Sequence, residues 1–268
     1  MADRTKIDWC DASWSPVTGC LHGCEYCYAK RIAERFGSNQ MPVFADYPVL
    51  DKPVLGIETK EHMRKSGINA DTIRPYPFNF MPTFHRYKLD TPQKWKRPRT
   101  IFVCSMADLF GAWVPDSWIE EVLAACRMAP QHRYLFLTKN PDRYDMLIDQ
   151  GIITPEDENF WLGSTCTVIT RDGFHWNFKN HTFMSCEPIL EPWPPAGKTG
   201  DDPRKFPDWV ILGAETGNRK DKVIPPKEWI DNAVAQCRNM GVPVFMKGSL
   251  REIMGADFVQ EYPWRCEE

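Results

Sequence analysis

From residue 100 onward, short and almost unbroken apolar runs recur with amphipathic stretches between them, a pattern that permits few folds. The runs are Thr100–Ser105 (TIFVCS), Arg133–Thr138 (RYLFLT), Trp161–Cys166 (WLGSTC), Thr182–Cys186 (TFMSC), Trp209–Gly213 (WVILG) and Pro243–Lys247 (PVFMK). A strand covered on both faces reads as continuous apolar sequence, whereas a half-solvated strand alternates. Such strands separated by helices imply an α/β fold with a parallel sheet. One intervening helix spans Asp116 to Met128, with an acidic start and Pro130 beyond its end. Another spans Pro226 to Met240, with Trp229, Ile230, Ala233, Val234 and Cys237 on one side and Gly241 as its stop. Upstream, Thr83–Leu89 reads as a further strand and Tyr28–Phe36 as a helix. The expectation is a single domain over 1–268, a complete or partial (β/α) TIM-like barrel. Pro- and Gly-rich insertions are expected at about 37–77 and 191–207.

Composition narrows the function classes. Apolar residues make up 43% of the chain, enough for a sizeable core, and the formal net charge of -3 gives no global field for nucleic acid or anionic lipid. No apolar run approaches the roughly 20 residues that span a bilayer. The opening MADRTKIDWCD is acidic where a signal peptide would be apolar. A cytoplasmic location without membrane contact is expected, and a disulfide framework is not. Of the ten cysteines, Cys20, Cys24 and Cys27 cluster, while Cys10, Cys104, Cys126, Cys166, Cys186, Cys237 and Cys266 are scattered singly.

The clustered cysteines lie in Ser15-Pro-Val-Thr-Gly-Cys20-Leu-His-Gly-Cys24-Glu-Tyr-Cys27-Tyr. Three thiolates within eight residues, broken by Gly19 and Gly23, suit a loop folded around one metal centre, and glycine lets backbone amides approach inorganic sulfide. On a [4Fe–4S] cluster, three protein ligands leave one iron open to an amine and a carboxylate. A structural zinc site is the alternative, but closed zinc sites need four ligands, usually as two pairs. His22 lies awkwardly between the first two cysteines, and no second Cys or His pair with zinc spacing occurs.

The Cys20–Cys24–Cys27 spacing, with Tyr26 before the last cysteine, resembles the signature loop of the radical S-adenosylmethionine (radical SAM) superfamily. The resemblance implies that these cysteines hold the cluster, that the Tyr26 region lies against the adenine of S-adenosyl-L-methionine, and that the fold is a (β/α) barrel. Over most of the chain, segments such as WSPVTGC, PTFHRYKLDTPQKWKRPRTIFVCSMADLFG, RYLFLTKNPDRY, SCEPIL, WVILGAETG and GVPVFMKG resemble a phage-associated radical SAM family of unassigned substrate. The implied chemistry is reductive cleavage of S-adenosylmethionine to a 5′-deoxyadenosyl radical, which takes a hydrogen atom from the substrate. An external electron donor of the flavodoxin or ferredoxin type is implied with it.

In a barrel, chemistry gathers where strands end. The runs above lead into Ser105 and Asp108, Lys139, Ser164 and Thr165, Glu187, Glu215, and Lys247, a set able to bind the cofactor's amine, carboxylate and ribose hydroxyls. Helix capping and solvated turns are the alternative for each. Cys104, Cys166 and Cys186 also fall near strand ends, and Cys186 is the candidate hydrogen-atom donor, although burial is the commonest fate of a free cysteine. Between His85 and Arg99, Arg86, Lys88, Lys94, Lys96, Arg97 and Arg99 interleave with Tyr87 and Trp95. Such a stretch can track nucleic acid, or it can be a solvated surface. A nucleotide or nucleic-acid base is the preferred substrate, with a peptide or small metabolite as the rival. Two other readings remain: a non-catalytic zinc or iron–sulfur module that engages nucleic acid, and a partner subunit that only supplies electrons.

Overall fold

The computed structural model describes residues 5–37, 46–55, 73–167, 179–193, 206–217 and 219–264. Most of the two expected insertions, and Cys266, lie outside these residues. The strands among them are β1 (Ala12–Trp14), β2 (Val17–Thr18), β3 (Val49–Leu50), β4 (Thr83–His85), β5 (Thr100–Val103), β6 (Arg133–Thr138), β7 (Phe160–Thr165), β8 (His181–Cys186), β9 (Trp209–Leu212) and β10 (Val244–Met246). The helices are α1 (Tyr28–Phe36), α2 (Thr91–Lys94), α3 (Asp116–Arg127), α4 (Asp142–Asp149), α5 (Lys227–Asn239) and α6 (Arg251–Met254). The chain divides into two compact units, one of Met1–Ser13, Pro98–Phe102 and Pro130–Glu268, the other of Trp14–Arg97 and Val103–Ala129.

The first unit is built on a parallel sheet of order β1-β5-β6-β7-β8-β9-β10, curled as a half-barrel. The α/β class and a parallel sheet compatible with a partial barrel therefore stand, and all six apolar runs are strands of it. Their continuous hydrophobicity has the expected cause, since alternate residues serve two cores. Phe102, Leu135, Trp161, Phe183, Trp209, Ile211 and Phe245 pack with Trp9 on one face. Met184, Cys186, Val210, Leu212, Val244 and Met246 face the other way, against Ile230, Ala233 and Cys237 of α5. Each such side chain contributes about 1.5–3 kcal/mol on burial. Register is tight: Gly163 pairs with Phe183, and a Cβ there would stand 2.3 Å from the Phe183 ring. The segment after α6 caps the outer side of β10, with Met246 N–H donating to Val259 O (2.9 Å) and Glu261 N–H to Val244 O (3.0 Å).

The second unit holds a small sheet of order β2-β4-β3, antiparallel between β2 and β4 and parallel between β3 and β4. Of the expected strand Thr83–Leu89, only Thr83–His85 is extended, and it belongs to this sheet; Arg86–Lys88 turn as a 3-10 helix. Phe84 stacks on Trp118 of α3 at 5.2 Å. Polar groups are sealed in as well. His85 is fully buried with Nε2 2.8 Å from Thr18 Oγ1, and burial lowers its pKa to about 3. Lys88 accepts the Trp14 indole N–H at its carbonyl (2.9 Å), and burial lowers its ammonium pKa to about 8.

Candidate functional site

In the second unit, the cysteine loop joins β2 to α1. Gly19 begins it at φ +88°, where a Cβ would lie 2.2 Å from the Met81 carbonyl oxygen, so no other residue fits. Gly23 turns the loop again at φ +69°. Cys20 N–H donates to Phe80 O (3.2 Å) and Cys27 N–H to Cys24 O (3.2 Å). Cys27 also caps α1, its sulfur accepting the Lys30 N–H at 3.4 Å. All three thiols are half-buried. Burial pushes the Cys20 thiol up to about 12, against the His22 backbone N–H, with Asp108, Cys27 and Cys24 close enough to add to the rise.

His22 is held elsewhere. Its Nε2 lies 2.7 Å from Asp108 Oδ2, and its ring meets Trp113 edge-on at 4.8 Å. Asp108 is itself buried and accepts the Phe110 N–H at Oδ1 (3.1 Å). Asp108, a cofactor-binding candidate from the sequence, is thus tied to His22 of the cysteine loop. The Ser105 carbonyl accepts the hydroxyl of Tyr28, the first residue of α1 (2.8 Å). Tyr26 is half-buried one residue before the helix cap. Cys104 takes φ +58° at the turn after β5, and its buried thiol is pushed up to about 12 by burial.

The donor set fits an open iron–sulfur cluster in chemistry: three half-exposed thiols on a glycine-bent loop, with the neighbouring imidazole withheld by Asp108. Among the described residues, however, no three His, Cys, Asp or Glu side chains are already gathered to hold a metal ion.

In the first unit, the carboxyl ends of β8, β9 and β10 bring Glu187 and Lys247 into an ion pair. Gly213 permits it, since a Cβ there would press on Lys247 Cδ at 3.0 Å and Glu187 Cγ at 3.3 Å. Beside it, Ala214 N–H donates to Ser249 Oγ (3.1 Å) and Gly248 N–H to Asp8 Oδ2 (2.8 Å). Ser249 and Asp8 were not singled out from sequence, because neither follows an apolar run. Glu215 is buried and forked by Arg219 (2.7 and 2.8 Å), which holds its carboxyl below the usual range. Lys139 is half-buried just after β6, and Ser164 is buried within β7. Cys186 is buried too; the adjacent Cys166 thiol, then burial, hold its own thiol well above the ordinary range.

Three of the six basic residues of the stretch are engaged within the second unit. Arg86 forks Glu121 (2.8 and 2.9 Å) and reaches Asp51 (3.1 Å), Lys94 pairs with Asp90 (2.6 Å), and Lys88 Nζ turns inward to Ser15 O (3.4 Å).

Among the described residues, no helix is long and apolar enough to cross a membrane. Comparison with curated proteins and with solved structures returned no match. A family profile matches residues 4–252, nearly the whole chain, and on that match the chain belongs to the family described as Protein of unknown function (DUF5131).

Proposed function

We propose that this chain is a radical SAM enzyme in which Cys20, Cys24 and Cys27 hold a [4Fe–4S] cluster. The observation that carries the reading is the cysteine loop itself: three half-exposed thiols, two positive-φ glycines and a histidine diverted to Asp108. When bound and reduced, such a cluster supplies the electron that cleaves S-adenosylmethionine to methionine and a radical able to abstract hydrogen from substrate.

The chain's own residues have the following parts. Cys27 ties its sulfur to the first turn of α1, whose N–H groups and dipole favour negative charge there. Asp108 keeps His22 from competing as a ligand. Glu187 and Lys247 form a carboxylate–ammonium pair that a zwitterionic amino-acid end can exchange into, ammonium to Glu187 and carboxylate to Lys247. Ser164 and Glu215 are buried and Lys139 half-buried, so they shape the ends of their strands. Cys186 is the reserve hydrogen-atom donor. A nucleotide or single base is the preferred substrate over a longer nucleic acid, because Arg86, Lys88 and Lys94 are already engaged. The electron donor is of the flavodoxin or ferredoxin type.

The test is anaerobic reconstitution with iron, sulfide and zinc analysis, followed by dithionite and S-adenosylmethionine. About four irons and release of 5′-deoxyadenosine support the reading, and Cys24→Ala abolishes the release while leaving the circular dichroism spectrum unchanged. Bound zinc without cleavage, or cleavage that survives Cys24→Ala, overturns it.

A further inference from the structure

At the opposite, amino ends of β5 to β9, the first unit contains a cavity of about 790 Å³. Its walls come from the first residues of the strands, the loop residues just before them, and Pro263 and Trp264. That volume lies within the range of small-molecule sites.

Arg133 is the feature that asks for a ligand. Three other arginines, Arg86, Arg219 and Arg238, each fork a carboxylate. Arg133 has no carboxylate partner among the described residues. Its guanidinium lies 4.2 Å over the Trp264 ring and makes one long hydrogen bond, from Nη1 to Thr100 Oγ1 at 3.3 Å. Of its five donors, one is used among the described residues, and the residue itself lines the cavity. Burial lowers its pKa, with Asp11 opposing, whereas the forked Arg86 and Arg238 are raised. A half-buried cation with no ion-paired carboxylate among the described residues is costly unless an anion arrives from outside.

The nearby carboxylates do not fill that role. Asp11 Oδ2 accepts the Thr100 N–H (2.7 Å), and Asp208 Oδ2 accepts the Thr182 N–H (2.8 Å) and hydroxyl (3.0 Å). Glu158 is solvated at the rim. A flat platform lies in the same wall: His181 is exposed and stacks on Trp161 with centroids 4.6 Å apart and planes 15° apart. One face of that imidazole is backed by the indole, which leaves the other for a second ring.

We propose that this cavity binds a small anion bearing a flat ring, its phosphate or carboxylate forked by Arg133 and its ring laid on His181. The site is separate from the strand ends assigned above and needs no cluster, so its test is made on the full chain as purified.

Titration calorimetry with adenosine 5′-monophosphate is expected to show saturable one-to-one binding. Arg133→Met is expected to weaken it at least ten-fold with an unchanged melting temperature. His181→Ala is expected to weaken it several-fold, while leaving binding of inorganic phosphate unaltered. Competition by phosphate assigns the anion as a phosphate, and competition by benzoate assigns it as a carboxylate; either supports the site. Absence of saturable binding by all three probes overturns the proposal, as does undiminished binding in Arg133→Met. Should Arg133→Met fail to fold, His181→Ala decides, because an exposed ring can be removed without disturbing the core, and unchanged nucleotide binding in that variant overturns the proposal equally.

Discussion

The two units bury different things. The first packs aromatic and aliphatic side chains on both faces of its sheet and meets charge at strand ends, where Glu187 finds Lys247 and Glu215 finds Arg219. The second seals His85 and Asp108 inside and half-buries Lys88, with a hydrogen bond for each. The first also buries His132, Asp157 and Glu215. Its wide apolar cores nonetheless make area removed from water its main support, which is nearly indifferent to pH, while the second is held in part by the shifted protonation states of His85 and Lys88.

Three substitutions would break or sharpen that contrast. The largest effect is expected for Trp209→Ala, which empties the centre of the aromatic core and strands the Glu261 carbonyl that its indole serves. The loss should be about 3–5 kcal/mol in denaturant melts and the same at pH 5 and pH 8. A loss that varied with pH would erase the distinction between the units.

Next comes His85. Its folded pKa of about 3 lies below the ordinary 6.5, so its contribution is complete above pH 6.5 and is lost as pH falls towards 3, because the unfolded chain takes up a proton that the folded chain refuses. Between pH 7 and pH 4 this is worth on the order of 2–3 kcal/mol. His85→Leu should start less stable at neutral pH, with Thr18 unserved, yet lose less on acidification. An acid limb as steep as in the parent chain would count against the buried-histidine account.

The smallest effect is expected at Lys88. With a folded pKa near 8 against about 10.5 unfolded, stability from this group rises as pH increases through that window. Lys88→Met should add about 1 kcal/mol at pH 7 and flatten the alkaline rise. A destabilised Lys88→Met would mean that the bond to Ser15 matters more than the desolvation of the ammonium.

How much could be read beforehand follows from the same contrast. The first unit was legible because the runs that hold β5 to β10 are five or six largely apolar residues apiece, and α3 and α5 carry helical spacing between Pro or Gly punctuation. Strands β1, β2 and β3 were not, since their two or three residues lie in no longer apolar run. Lys88 looked like one of six basic surface residues, and only the turn at Arg86–Lys88 directs it inward. Arg86 meets Glu121, 35 positions away, a pairing that no local pattern announces. At the cysteine loop, spacing and glycines were readable, but the hold of Asp108 on His22 spans 86 residues and needed coordinates. Arg133 reads as any strand-opening arginine, and only coordinates show that no carboxylate among the described residues is ion-paired with it.

A half-barrel does not close, and β10 ends the sheet on one side. The strip from Val259 to Glu261 supplies the missing neighbour, bonding Val244 and Met246. An uncovered strand of this kind is a template for another chain. Loss of these few residues, by a late stop codon or a protease, would thus bare an edge able to recruit other copies, and the first symptom would be clumping in the cell rather than failed chemistry.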